Sequence, residues 1–296
     1  HYNQSASDGS ARAVALDLTG TSRLLEVYEV AGEYFMFDAI RNTASSFQPA
    51  ALWSPIGGLV TASSYFNDVE VGMDHVFSRD NTWTDPLAVS AHANLATAYD
   101  YFRNTHGRIG IDGRGSTVYS IIHVTENGLR SDNALWNGRV MIFGDGVRNA
   151  PYAAALDVVA HEMTHGIIDH TVALVYRGQS GAINESIADV FAAMVDRDDW
   201  TMAELIVNLS DYPSGAMRDL SSPHNGGTSQ AFYWQPAHMS EFVQLPDNSD
   251  NGGVHINSGI PNHAYYLLAQ DIGKEKAEKI YYRILDARYL VSRATF

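Results

Sequence analysis

The chain has 296 residues, 45% of them hydrophobic and 18% charged, which excludes disordered and fibrous classes and leaves room for one large or two modest domains. Its 19 Lys and Arg against 34 Asp and Glu give a formal charge of −15, which argues against nucleic acid or an anionic membrane as partner and fits a protein that binds hard cations. There are no cysteines, so disulfides and thiolate metal sites are excluded, and no apolar run reaches transmembrane length.

In chain order, the start HYNQSASDGS is polar, with neither an initiator Met nor a signal-peptide core, which suggests a form cut from a precursor or a cloning boundary. LLEVYEV (24–30) and EYFMFDAI (33–40) are rich in β-formers, and the Ala-Gly pair between them predicts a hairpin. A helix follows from about Asp85, capped by Asp-Pro and stopped near Gly107. STVYSIIHV (116–124) and GRVMIFG (138–144) read as further strands, punctuated by Gly, Asn and Asp.

From Pro151 the pattern turns helical. A segment apolar nearly all round runs through HEMTH, as expected of a buried helix. INESIADVFAAMVDR (183–197), IPNHAYYLLAQDIG and KEKAEKIYYRILDARYLV complete the helical half. The expected class is therefore α+β, with a β-rich domain over 1–150, a mainly helical domain over 151–296, and an active-site cleft between them.

HEMTH sits among Ala153, Ala154, Ala155, Leu156, Val158, Val159, Ile167 and Ile168. Polar groups buried there cost free energy unless something satisfies them. On a helix, His161 and His165 share a face and can hold one metal. Glu162 is turned about 100° from His161 and can reach a water instead, the arrangement HExxH uses for zinc hydrolysis. Two satisfied core histidines, or a closed structural zinc site, are the competing readings. A catalytic zinc needs a third ligand. GAINESIAD offers Glu185 on the next helix, with Asp189 on the same face placed to accept the other ring N–H of a ligating histidine. Charged helix residues alone would more often face water.

HEMTHG, GAINESIAD at this spacing and DNGGVHINSGIPNHAYYLL (250–268) together resemble the thermolysin-like zinc metalloendopeptidases. PLAVSAHANLATAYDYFRN (86–104), DNALWNGRVMIFGDG (132–146) and LDVVAHEMTHG carry the same resemblance. It implies a secreted endopeptidase with one catalytic zinc on His161, His165 and Glu185, and Glu162 as general base. It assigns Asp189 to a ligating histidine, Tyr176 and His255 to the developing oxyanion, and Asp250 to orienting His255. It assigns Arg218 to a substrate carbonyl, and Asn133 and Ala134 to a strand edge along which substrate lies. Val158, Met202, Ile206 and Met217 match the pocket for the residue after the scissile bond, so Leu, Ile or Phe is expected there. The glycines around His255 suggest a shaped loop rather than a helix face.

Asp196, Asp198, Asp199 and Glu204 crowd into DRDDWTMAEL, an all-oxygen pattern suited to calcium. The resemblance implies at least one structural calcium, on Asp157, Asp196, Asp199, Glu204 and the Thr201 carbonyl. Family members with two carry longer acidic side chains at positions 196 and 201, and the stretch NLSDYPSGAM departs from the family's other calcium loop. The chain ends at LVSRATF, where members usually continue into more helices, so the helical domain is expected to be short.

The resemblance further implies peptide and protein substrates, a propeptide partner before maturation, a monomer, and an extracellular location. Two other readings remain. A zinc aminopeptidase would share the ligands, but the GxMEN-like motif such enzymes carry before HExxH is absent. A catalytically inactive binding module on this fold would have lost residues such as Glu162, Tyr176 or His255, all of which are present.

Overall fold

A computed structural model describes residues 9–41, 55, 57–68, 72–226 and 234–296. The first eight residues of the polar start lie outside them. The chain divides into two compact units, His1–Val159 and Ala160–Phe296. The first is β-rich and the second helical.

In the first unit, β1 (Gly9–Leu16) and β2 (Ser22–Val30) form an antiparallel pair. β2 turns through Ala31 and Gly32, both at positive φ, into β3 (Glu33–Phe35), with Tyr28 opposite Phe35. That left-handed pair matches the twist of the flanking strands, which is why Ala-Gly makes a tight hairpin. The expected second strand is in fact two, β3 and β4 (Phe37–Asp38), in different sheets. Met36 between them is fully buried.

β5 (Leu59–Asn67), β6 (Asp74–His75) and β7 (Phe77–Ser78) precede the helix α1 (Pro86–His106). Asp85 caps α1 by accepting from Leu87 N at 3.0 Å and Ala88 N at 3.3 Å, and the helix closes on Gly107. Next come β8 (Val118–Glu126), β9 (Leu129–Arg130), β10 (Ala134–Trp136) and β11 (Met141–Gly144). A four-stranded sheet runs β1-β2-β3-β7, and a larger one β10-β11-β8-β5-β4, with β6 on β5 and β9 on β8. β8 pairs in parallel with both β5 and β11, so Ile121 and Ile122 are fully buried.

Tyr28, Phe35, Phe37, Val60 and Ile121 form the heart of the sheet core. Each such side chain contributes about 1.5–3 kcal/mol by leaving water. Asn94 on α1 donates to the carbonyls of Ala153 and Ala154, 3.1 Å each, holding a 3₁₀ turn at Tyr152–Ala154. Ala155 is extended, so α2 begins only at Leu156 and runs to Asp169. The helix expected from Pro151 is thus delayed by one turn and a break.

The second unit is organised by α3 (Gly178–Val195), buried almost all round by Ala182, Ile187, Ala188, Val190 and Phe191. It starts five residues before the expected 183, because the Gly-Gln-Ser-Gly stretch forms its first turn. β12 (Thr201–Met202) and β13 (Arg218–Asp219) pair antiparallel, with Met202 opposite Arg218. α4 (Asp250–Asn257), α5 (Gly259–Ile272) and α6 (Lys274–Asp286) complete the unit. α4 opens with left-handed φ at Asp250, Asn251, Gly252 and Gly253. No helix among the described residues is long and apolar enough to cross a membrane.

Candidate metal centre and active site

α2 carries His161 and His165 one turn apart, and α3 brings Glu185 against them. Their ligand atoms all lie within 4.8 Å of one another. The two Nε2 atoms are 2.9 Å apart; His161 Nε2 is 3.4 Å from Glu185 Oε2 and His165 Nε2 is 3.3 Å from Oε1. Tetrahedral zinc with bonds of about 2.0–2.1 Å spaces its ligand atoms by roughly 3.3 Å. Among the described residues Glu185 Oε2 is buried without a hydrogen-bond partner, and such a carboxylate oxygen 3.4 Å from His161 Nε2 is chemically suited to a shared cation. The donor set fits zinc.

The far sides of both rings are held. His165 Nδ1 is 2.8 Å from Asn184 Oδ1, which can only accept, so Nδ1 carries the proton and Nε2 is free to ligate. His161 Nδ1 lies 2.9 Å from Asp189 Oδ1, close enough for a charge contact but off the line of a straight hydrogen bond. Asp189 also takes both prongs of Arg218, Nε to Oδ2 at 2.8 Å and Nη2 to Oδ1 at 2.7 Å. Arg218 thus commits two nitrogens to Asp189 and keeps Nη1 outside that fork.

Electrostatics follow this packing. Burial opposes charge on His161, but Asp189 and Glu185 override it and hold its pKa at about 10. Burial opposes charge on Glu185 too; His255 and His165 win and hold it well below the usual carboxylate range. Burial likewise opposes charge on Asp189, yet Arg218 and His161 bring it down to about 2. Glu162 goes the other way. It is buried, and desolvation raises its pKa despite the neighbouring imidazoles. A carboxylate beside the metal ligands with a raised pKa is suited to taking up a proton.

Tyr176 and His255 close one side. Tyr176 Oη donates to Glu185 Oε1 and lies 3.1 Å from His255 Nε2. Burial and the Glu185 charge push the phenol pKa up, so it stays a donor. Asp250 accepts from His255 Nδ1 at 2.5 Å, His255 N at 2.9 Å and Ile256 N at 3.3 Å. This fixes the ring with Nε2 toward Tyr176. The left-handed turn at 250–253 wraps the Asp250 carboxylate onto the following amides. His255 itself stands on the helical turn after that loop, so the expected loop position is corrected by two residues.

Asn133 O accepts from Gly144 N at 2.9 Å, and Ala134 begins β10, an edge strand of the larger sheet. Val158, Met202 and Ile206 are buried, and Met217 is partly buried, its N donating to Met202 O at 2.9 Å. Asp199 Oδ1 accepts from Thr201 N and Oγ1, 2.7 Å each, and Thr201 Oγ1 lies 3.2 Å from Glu204 Oε2. Burial, then Glu204, Asp199 and Asp198, raise the pKa of Asp196. Among the described residues no three of these carboxylates converge as the zinc trio does. Asp157 belongs to the other unit, and its Oδ1 accepts from Val158 N at 2.8 Å.

Asn184, Gln235 and Asn262 escape a reading by motif. Gln235 donates to His255 O at 2.6 Å, and Asn262 to Asp189 Oδ2 at 2.9 Å. The signal available for Asn184 was the one that singles out HEMTH, a polar side chain in a buried Ala-rich helix.

A β-rich unit followed by a helical one, with two imidazoles of one helix and a carboxylate of the next gathered for one ion, defines a metalloprotein of the HExxH class. Residues 13–169 match the thermolysin metallopeptidase catalytic domain and 172–296 its alpha-helical domain. The chain belongs to the thermolysin metallopeptidase family.

It is 44% identical over 229 residues to bacillolysin of Brevibacillus brevis, covering 73% of this chain and 41% of that protein. It is 41% identical over 244 residues to the extracellular elastase of Staphylococcus epidermidis, covering 80% and 46%. It is 34% identical over 298 residues to neutral protease B of Bacillus subtilis, covering 96% and 52%. The chain thus spans about half the length of these relatives. Among solved structures it is similar to the precursor of protealysin, a metalloproteinase from Serratia proteamaculans. The TM-score is 0.70 at 30% identity, over 82% of this chain and 79% of that one.

Proposed function

We propose that the chain is a zinc-dependent endopeptidase that cleaves internal peptide bonds. The observation that carries this is Glu162, a buried carboxylate with a raised pKa beside His161, His165 and Glu185, whose ligand atoms gather within 4.8 Å. When bound, zinc supplies Lewis acidity, making water a nucleophile near neutral pH and polarising a carbonyl. His161, His165 and Glu185 would hold it, with Asp189 and Asn184 fixing the two rings. Glu162 takes the proton of the attacking water and passes it to the leaving amine. Tyr176 Oη and His255 Nε2–H donate to the oxygen that gains charge, His255 kept in place by Asp250. Arg218 grips a substrate carbonyl.

Substrate would lie extended along the Asn133–Ala134 edge, with Leu, Ile or Phe after the scissile bond received by Val158, Met202, Ile206 and Met217. The chain would be a secreted monomer, paired with its own propeptide before maturation. Asp157, Asp196, Asp199, Thr201 and Glu204 would hold at least one calcium. The name of one relative, extracellular elastase, supports the location.

The test is hydrolysis of a peptide blocked at both ends, with Leu or Phe after the scissile bond, before and after chelation and with zinc restored. Cleavage that vanishes and returns with zinc is expected. Activity only on free amino termini would favour an aminopeptidase. Bound zinc without turnover would favour a binding module.

A further inference from the structure

Asp189 accepts two hydrogen bonds from the prongs of Arg218, and His161 Nδ1 stands 2.9 Å from Oδ1 as a third, charge contact. The fourth partner is Asn262, in the first turn of α5, whose Nδ2 donates to Asp189 Oδ2 at 2.9 Å. Asn262 and Asp189 are both 0% exposed, so no solvent can replace that donor. A carboxylate oxygen only accepts, which fixes the amide with its nitrogen toward Asp189. The amide oxygen then points away and is buried with no partner among the described residues. A buried polar side chain left half-satisfied costs stability. An apolar residue would avoid that cost, so the amide's contribution lies in its one bond to Asp189.

We propose that Asn262 is a positioning residue for the metal centre. It holds the Asp189 carboxylate in the orientation that presents Oδ1 to His161 Nδ1, and thereby keeps His161 Nε2 aimed at the ion. The proposal rests on the reading of His161 as a zinc ligand. It does not rest on peptide hydrolysis. Without the amide, Asp189 has only Arg218 to set its rotation, and the guanidinium fork can carry the carboxylate away from the ring. Metal affinity falls as a result. Partners behind a ligating histidine typically set affinity by about 10–100-fold.

The experiment measures zinc Kd by competition with a chelator of known affinity, together with thermal midpoint, for the full chain and two variants. Asn262→Leu keeps the branched shape and removes the donor. Asn257→Leu is the matched control, because Asn257 is similarly buried and, among the described residues, its side chain bonds only to Val243, at 2.9 Å through both amide atoms. The expected result is a zinc Kd raised on the order of 10-fold in N262L, with N257L lowering the midpoint while leaving the Kd within twofold of the parent. If N262L does not fold, Asn262→Ser carries the same comparison. An unchanged Kd in N262L, or an equal rise in N257L, overturns the proposal and makes Asn262 a packing residue. A parent chain that binds zinc but cleaves no blocked peptide removes the endopeptidase reading alone; one that binds no zinc removes both.

Discussion

Gly181 and Val254 touch more closely than any side chain would allow. A β-carbon on Gly181 would lie 2.4 Å from Val254 Cγ1 and 3.0 Å from the Tyr176 carbonyl carbon. That contact lets α3 and α4 approach until Tyr176 and His255 meet at 3.1 Å. Gly181→Ala should therefore cost about 1–3 kcal/mol by overpacking. A urea unfolding series reads the cost directly. Val254→Ala in the same chain should recover part of it, and equal loss with and without that second change would mean the contact is slack.

Glu162→Gln should remove peptide hydrolysis by on the order of 10²–10⁴-fold, the range for losing a general base. Zinc stoichiometry should stay that of the parent, because Glu162 is not among the three gathered ligands. Metal analysis beside a single-turnover assay separates the two effects. Retained turnover would send the base assignment elsewhere.

Asp250→Ala frees three donors at once, the ring and backbone N–H of His255 and the Ile256 amide. The His255 ring then loses its orientation. We expect kcat to fall on the order of 10²-fold, as when an oxyanion donor is lost, with little change in KM. A change in KM alone would place His255 in ground-state binding.

His123, in the β-rich unit, gives a pH dependence of stability. Its Nε2 is 2.7 Å from Asp85 and its Nδ1 2.8 Å from Asp145. Burial opposes its charge, but the two carboxylates override that and raise the pKa from 6.5 to about 9. A raised folded-state value gives stability that is fully present below 6.5 and is lost as pH rises through about 9. Denaturant midpoints from pH 6 to 10 should show this loss in the parent chain and not in His123→Gln. A parallel decline in both would assign it to other groups.

The legible parts of the fold are those with local punctuation. Asp85-Pro86 and Gly107 mark α1 to the residue, and Ala31-Gly32 marks a hairpin. β1 and β5 were not legible. β1 has Arg and small residues alternating on a thin apolar face, and the Ala-Ser-Ser core of β5 reads as loop although its strand is buried between β4 and β8. At the site, helical spacing alone puts His161 with His165 on one face and Glu185 with Asp189 on another; that the two faces meet was implied only by the family resemblance. Asn262 was not legible, because 73 residues separate it from Asp189 and only the packing of α5 brings them together.

β10 ends its sheet with one side unpaired by any described strand. A strand edge reads main-chain amides and carbonyls, which every sequence carries alike. A chain must already be extended, or be able to unravel locally, before it can pair there. Under the proposed function, selection along that edge would act on the conformational freedom of the target before its side chains, and would set unfolded and loosely folded proteins apart from compact ones as substrates.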